Sequence, residues 1–301
     1  MRIIVTGGAG DVGGYVVRDL AHYNLPHTIL DVRKPDSMPD GVDFVKCDLM
    51  DRTATAEALQ GYDVVIHLAA IPNAFFDPPE HVMSVNMVTC FNVFEAAREN
   101  GIRRIVYAGS ESSTGFGIHN VKLKPLYLPI DEEHPLWPHE SYSFTKRYGE
   151  DMVENYARAY GIEAISLRYC GVWMRNNLEN LVAMLEPFRR GEKAPEPWFG
   201  CYVAGEDVAQ AVRRATTYTF TGNEPIPFEA FYITAARTFY PEPTLEVMQR
   251  IYGDLPEVRD PSYFQNNPTA SPFDIRKAER LLGYKPTRDC REIEEWEAQP
   301  I

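Results

Sequence analysis

Two residues, Tyr142 and Lys146, have types and spacing that could do chemistry. Residues four apart on a helix share one face, so the ammonium of Lys146 would stand one turn from the phenol of Tyr142. A free phenol, with a pKa of about 10, is a poor base at neutral pH, and a neighbouring cation favours its phenolate form. Lowering it by about three units takes about 4 kcal/mol of differential stabilisation. Such a phenolate can remove the proton of an alcohol. Tyr-x-x-x-Lys is a common spacing, and its weight here comes from its place at the start of a helix, after a strand and a long loop. The strand ends in Ala108-Gly109-Ser110-Glu111-Ser112-Ser113, which supplies a serine to orient the alcohol. Counting from the strand selects Ser110, and counting back from Gly115-Phe116-Gly117 selects Ser112. Ser110 is preferred, because a strand is harder to shift than a loop.

An alcohol that loses its proton in this way needs a hydride acceptor, and the first residues of the chain describe a place for one. Ile3–Val5 read as a strand, followed by Gly7, Gly10 and Gly13 and then a helical run. Glycines so placed allow a tight turn, a close backbone approach to a pyrophosphate, and close packing of helix on strand. The helix start, with Asp11 and Val12, presents unpaired N–H groups to phosphate. Asp31 ends the second strand, where a carboxylate accepts bonds from ribose hydroxyls and repels a 2′-phosphate, which selects NAD. Arg33, two residues on, pulls slightly the other way. Asp48-Leu49 follows the third strand and is placed to meet the adenine. Leu68-Ala69-Ala70 ends the fourth, where small residues let a dinucleotide pass close to the backbone.

Strand-like runs at Ile3–Val5, Thr28–Leu30, Asp43–Val45, Val64–Leu68, Ile105–Ala108 and Ala164–Leu167 alternate with helical patterns near 12–22, 53–59, 79–99 and 142–159. This alternation predicts an α/β fold, a doubly wound parallel sheet with ligands at the carboxyl ends of its strands. Residues 118–140, rich in proline, read as a long functional loop or lid. Beyond about residue 170 the pattern becomes irregular. The expected organisation is a cofactor domain over 1–168 and a smaller, mixed C-terminal substrate-binding domain over 169–301, with a segment near 229–236 returning to the sheet.

Asp and Glu outnumber Lys and Arg by 43 to 30, a formal net charge of −13. That balance speaks against nucleic acid and anionic membranes as partners. The five cysteines lack C-x-x-C spacing, the seven histidines lack metal-ligand spacing, and no metal is expected. His134 and His139, in the proline-rich loop, are expected at the surface. With a strand starting at residue 3 and no apolar run of membrane length, a cytoplasmic protein without a leader is the expectation.

Taken in order, Thr6-Gly-Gly-Ala-Gly-Asp-Val-Gly13, Asp31, Asp48-Leu49, His67-Leu-Ala-Ala70, Val85-Asn86, Ser110, Tyr142/Lys146, Leu167-Arg-Tyr-Cys-Gly-Val172 and the tail Phe273 to Pro286 resemble an extended short-chain dehydrogenase/reductase of the NAD-dependent epimerase/dehydratase family. The resemblance implies a Rossmann domain, bound NAD and catalysis by Ser110, Tyr142 and Lys146. It also implies that Asn86 supports the active-site helix on the cofactor side, and that residues 169–172, Tyr169 and Val172 among them, face the nicotinamide. A homodimer through helices 79–99 and 142–159 follows the family's habit.

The departures from the family's patterns bear on the reaction. Dehydratases of this kind carry Thr-Asp-Glu where this chain has Ser110-Glu111-Ser112, so one acid is missing. Nucleotide-sugar epimerases hold the diphosphate with an asparagine and an arginine, where Cys170 and Gly200 stand here. The Asn176-Asn177 pair resembles the uronate dehydrogenase branch. The expectation is therefore an enzyme oxidising a small sugar, sugar acid or polyol. Asn73, Ser112, Arg175, Asn176 and Asn177 are the candidate substrate contacts, with Trp198, Phe199 and Tyr202 as apolar walls. An epimerase with tightly held NAD is the alternative, and a non-enzymatic dinucleotide sensor the remote one.

Overall fold

The computed structural model describes residues 1–72, 77–116, 122–193, 199–222 and 224–298. Within them the strands are β1 (Ile3–Thr6), β2 (His27–Asp31), β3 (Asp43–Lys46), β4 (Val64–His67), β5 (Arg104–Ser110), β6 (Tyr127–Leu128), β7 (Glu163–Tyr169), β8 (Gly171–Trp173), β9 (Tyr202–Ala204), β10 (Phe228–Ile233) and β11 (Glu257–Val258). The helices are α1 (Asp11–His22), α2 (Arg52–Ala58), α3 (Pro79–Glu99), α4 (Ser141–Tyr160), α5 (Leu178–Arg189), α6 (Gly205–Thr216), α7 (Thr244–Tyr252), α8 (Pro261–Asn266) and α9 (Arg276–Leu281).

Seven strands form one sheet in the order β3-β2-β1-β4-β5-β7-β10, every pair parallel. Strands covered on both faces read as continuous apolar runs, and β1, β4 and β5 are buried along their whole length. Tyr15, Val16 and Leu20 of α1 with Val208 and Val212 of α6 belong to one core cluster. Phe94 and Val93 of α3 with Val153 and Tyr156 of α4 belong to another. Strand order reverses between β1 and β4, so a crevice opens at their carboxyl ends. Thr6, Asp31, His67, Ser110 and Tyr169 are the last residues of β1, β2, β4, β5 and β7.

A third apolar cluster joins Trp173, Leu181, Tyr202, Tyr240, Phe273 and Trp296. Arg168 is buried at the end of β7 and pairs with Glu150 of α4 at 2.8 Å, tying that helix to the sheet. Burial alone would push the Glu150 carboxyl up, but the charge and hydrogen bonds of Arg168 and the Ser166 hydroxyl outweigh it and hold it below its ordinary value.

The proline-rich stretch is more ordered than an open lid. Its β6 pairs in parallel with β11, and Ile130 bridges to Phe273. His134, expected at the surface, is instead buried: its Nε2 accepts from the Leu126 N–H at 3.0 Å, and its ring meets those of Phe116, Tyr127 and Trp137. A neutral imidazole with both nitrogens engaged fits an aromatic core, and burial lowers its pKa.

Candidate active site

The floor of the crevice is made by β1 and the turn that follows it. Gly7 sits at φ +71°, and a Cβ there would lie 2.7 Å from the Ala69 backbone nitrogen. A Cβ on Gly13 would lie 2.2 Å from the Gly7 carbonyl oxygen. No side chain caps the start of α1, whose N-cap is Gly10, so its first N–H groups are left for a ligand. At one end of the crevice the Asp31 carboxylate accepts from the Ala9 N–H at 3.1 Å and the Arg33 N–H at 3.3 Å. The Arg33 guanidinium donates to the Ala9 carbonyl at 3.2 Å.

From there a cavity of about 670 Å³ runs past Asp48, Leu49, Leu68, Ala69 and Ala70 to Ser110, Tyr142 and Lys146. Gly7, Gly10, Asp11, Val12, Gly13, Asp31, Arg33, Tyr169, Val172 and Ser112 also reach its wall. The Tyr169 hydroxyl is buried there with no partner among the described residues. A glycine cradle, an uncapped helix start, a carboxylate at one end and an unspent hydroxyl near the other fit a dinucleotide.

At the inner end, the Ser112 hydroxyl donates to Ser110 Oγ at 2.8 Å, and the Ser112 N–H donates to the same oxygen at 3.2 Å. Of the two serines, Ser110 is the one whose side chain lowers the pKa of the Tyr142 phenol, and Ser112 is bonded to Ser110. Lys146 Nζ lies 5.6 Å from the centre of the Tyr142 ring and donates to the Ala108 carbonyl at 2.9 Å. Burial pushes its pKa down to about 8.

The expected fall in the phenol's pKa is not what the protein alone produces. Burial raises it, Glu111 and Glu140 raise it further, and only the Ser110 hydrogen bond opposes them. Desolvation of the phenolate dominates, and the Lys146 ammonium is engaged with the Ala108 carbonyl.

The N-terminus of α4 is fixed by Glu140, whose carboxylate accepts from the Tyr142 and Ser143 N–H groups at 2.6 Å each while the Ser143 side chain answers the Glu140 N–H. Asn86, buried in α3, does not line the cavity. It binds both backbone polar groups of Ile71 and donates to Thr145 Oγ1 at 3.1 Å, so it holds the loop after β4 against α4 from behind. His67 is likewise a neutral core residue, bonded to Thr6 Oγ1 at 2.8 Å, its pKa driven down to about 3 by burial.

Three sequence candidates are not brought to the cavity. Arg175 pairs with Glu206 at 3.0 Å, Asn176 donates to Asp11, and Asn177 accepts from Asn180. Phe199 and Tyr202 are buried in the third core cluster. Asn73 and Trp198 lie outside the described residues. Sequence reasoning passed over Phe116, Glu140 and Met174, all on the wall. Only Glu140 carried a signal, an acid three residues before Ser143 at a helix start.

With this geometry established, residues 3–224 match the model of the NAD dependent epimerase/dehydratase family. The chain belongs to that family. Among relatives, a uronate dehydrogenase of Pseudomonas syringae pv. tomato is 30% identical over 168 residues, 56% of this chain and 58% of the relative. An L-arabinose 1-dehydrogenase (NAD(P)(+)) of Haloferax volcanii is 35% identical over 176 residues, 56% and 65% of the two chains. The chain thus aligns with less than two thirds of the length of these curated relatives. A crystal structure of a UDP-galactose 4-epimerase superposes with a TM-score of 0.70 at 25% identity, covering 97% of this chain and 96% of that one. The epimerase/dehydratase family's dependence on NAD agrees with the cradle described above.

Proposed function

We propose that this protein is an NAD-dependent oxidoreductase acting on a hydroxyl carbon of a small sugar, sugar acid or polyol, with Tyr142 as general base. NAD, when bound, supplies the acceptor for the hydride that leaves that carbon. The observation that carries the reading is the gathering of the bonded Ser112–Ser110 pair, the Tyr142 phenol and Lys146 on the wall at the inner end of a cavity that begins in the glycine cradle. Ser110 orients the substrate hydroxyl toward the phenol. Tyr142 takes the proton, its phenolate favoured by Lys146 and by the positive charge of the oxidised cofactor. Lys146 is held in place by the Ala108 carbonyl, and Tyr107 packs beneath it, 5.4 Å from Nζ to the ring centre.

In this reading residues 1–168 carry the cofactor and residues 169–301 cover the substrate side, with Ser112 as the candidate substrate contact at the wall. We place the protein in the cytoplasm, in keeping with its five free cysteines, as a homodimer. Among the described residues no helix is long and apolar enough to cross a membrane.

Likeness to a UDP-galactose 4-epimerase favours a second reading, in which one carbon is oxidised and reduced again without net turnover of NAD. One experiment separates them. Purified protein with added NAD and a panel of sugars, sugar acids and polyols is expected to form one NADH per substrate consumed. Conversion of substrate to its epimer with no net NADH would favour the second reading.

A further inference from the structure

Lys146 is buried, and among the described residues no carboxylate pairs with it. Its ammonium donates to one carbonyl, that of Ala108, at 2.9 Å. Otherwise it lies over two rings, 5.4 Å from the centre of Tyr107 and 5.6 Å from that of Tyr142. The acids of α4 and its N-cap are engaged elsewhere, Glu140 with two backbone N–H groups and Glu150 with Arg168, and no ion pair joins Glu111 to the ammonium. The remaining titratable neighbours, His67 at the end of β4 and Cys90 on α3, bring no negative charge near neutrality. Burial drives the imidazole down to about 3 and the thiol up to about 11, and it pushes the Tyr107 phenol up as well. A buried cation without an anion needs other electron density to face it, and an aromatic face supplies that within about 6 Å.

Tyr107 is built into this place from several sides. It precedes Ala108 on β5, so the strand that offers the carbonyl offers the ring as well. Its ring stacks on that of His67, with centres 6.2 Å apart, and meets Phe94 edge to face. Its hydroxyl end enters α4 at Gly149, where a Cβ would lie 2.2 Å from the phenol oxygen and 2.6 Å from Cζ. Glycine inside a helix is unfavourable relative to alanine, and here it opens a notch three residues from Lys146, on the same face. The hydroxyl itself makes only long contacts, 3.4 and 3.5 Å to the Thr145 and Lys146 carbonyls.

We propose that Tyr107 is a positioning residue whose ring face, locked into α4 at Gly149, keeps Lys146 in place as an ammonium beside Tyr142. This assignment rests on the oxidoreductase reading above and deepens it, because Lys146 favours a phenolate only while it holds its proton. Burial already brings the Lys146 pKa down to about 8, so a weaker ring face leaves less ammonium near neutrality.

The test keeps the shape of the ring and changes its electrons. Tyr107→Phe retains the face, and Tyr107→trifluorophenylalanine retains the ring while drawing electron density out of it. Titration of Lys146 is followed by NMR on the full chain carrying labelled lysine, with the signal assigned through Lys146→Arg. NADH formation is followed against pH with a substrate that the wild type oxidises. Tyr107→Phe is expected to leave the Lys146 midpoint and the alkaline limb of kcat where they are. The fluorinated ring is expected to lower both by about one pH unit, a tenfold shift from ammonium to amine, with KM little changed. A merely structural role would lower kcat evenly across the pH range and leave the Lys146 midpoint unmoved, which would overturn the proposal. Tyr107→Phe acting as strongly as the fluorinated ring would overturn it too, since the hydroxyl would then be the working part, as would a shifted Lys146 midpoint with an unshifted kcat limb. A shifted midpoint with no NADH from any sugar, sugar acid or polyol would uphold the seat for Lys146 and overturn the oxidoreductase reading, and an unmoved midpoint with no NADH would overturn both.

Discussion

On the proposed reading, single side chains divide the cavity into an end that reads the cofactor and an end that moves a proton. Asp31 belongs to the first. Its carboxylate is held by two backbone N–H groups, which aims it without neutralising it, and a ribose diol can donate to the remaining lone pairs. Replacing Asp31 by alanine removes those acceptors and leaves Arg33 beside the site. The expected outcome is a KM for NAD raised about 10- to 100-fold, for a loss of about 1.5–3 kcal/mol, with a smaller change for NADP. Steady-state kinetics with both cofactors checks this, and an unchanged preference would remove Asp31 from the cofactor site. Tyr142 belongs to the other end and depends on company. Its own surroundings push the phenol's pKa up, so a basic phenol at this place requires the further positive charge that an oxidised nicotinamide brings.

Elements explain why those side chains meet at all. Five parallel strands deliver Thr6, Asp31, His67, Ser110 and Tyr169 to one edge of the sheet, and α4 is pinned there by Glu140, by Asn86 through Thr145, and by the Glu150–Arg168 pair. The β1–α1 turn is the least forgiving of these parts. Gly13→Ala drives a methyl group to 2.2 Å from a carbonyl oxygen, so strand and helix must separate. NAD binding, followed by calorimetry, is expected to weaken by more than about tenfold, a cost above about 1.4 kcal/mol, and affinity equal to wild type would contradict the cradle. This part of the molecule was legible in the sequence because its signals are local. Glycine spacing, β-α alternation and a Tyr-x-x-x-Lys pair on one helical face each state their geometry within a few residues. Arg175 and the Asn176-Asn177 pair stand off the cavity wall, which the sequence did not announce, for the opposite reason. Their partners, Glu206, Asp11 and Asn180, are fixed by packing across the chain or by a local turn that composition does not announce. His134 is similar: a proline-rich stretch reads as surface, yet pairing of β6 with β11 folds it into an aromatic core.

At the scale of the whole molecule, two features ask for partners. One is the cavity. The other is the outer side of α3 and α4, where Val88 and Phe91 on the first helix and Tyr148 on the second are exposed, Phe91 by 50% and Tyr148 by 45%. Large apolar residues on two neighbouring helices suit a four-helix contact with a second copy. Light scattering on the purified protein is expected to give the mass of two chains, and Phe91→Glu to reduce it to one. A wild-type mass of one chain would leave those residues without that role. The proposed chemistry depends on the Tyr142 phenol. The direct measurement is Tyr142→Phe, assayed for NAD binding by calorimetry and for NADH formation with a substrate that the wild type oxidises. Loss of a positioned general base predicts a kcat lower by about 10³-fold with NAD affinity unchanged. A variant that keeps its cofactor and turns over within tenfold of the wild type would contradict the assignment.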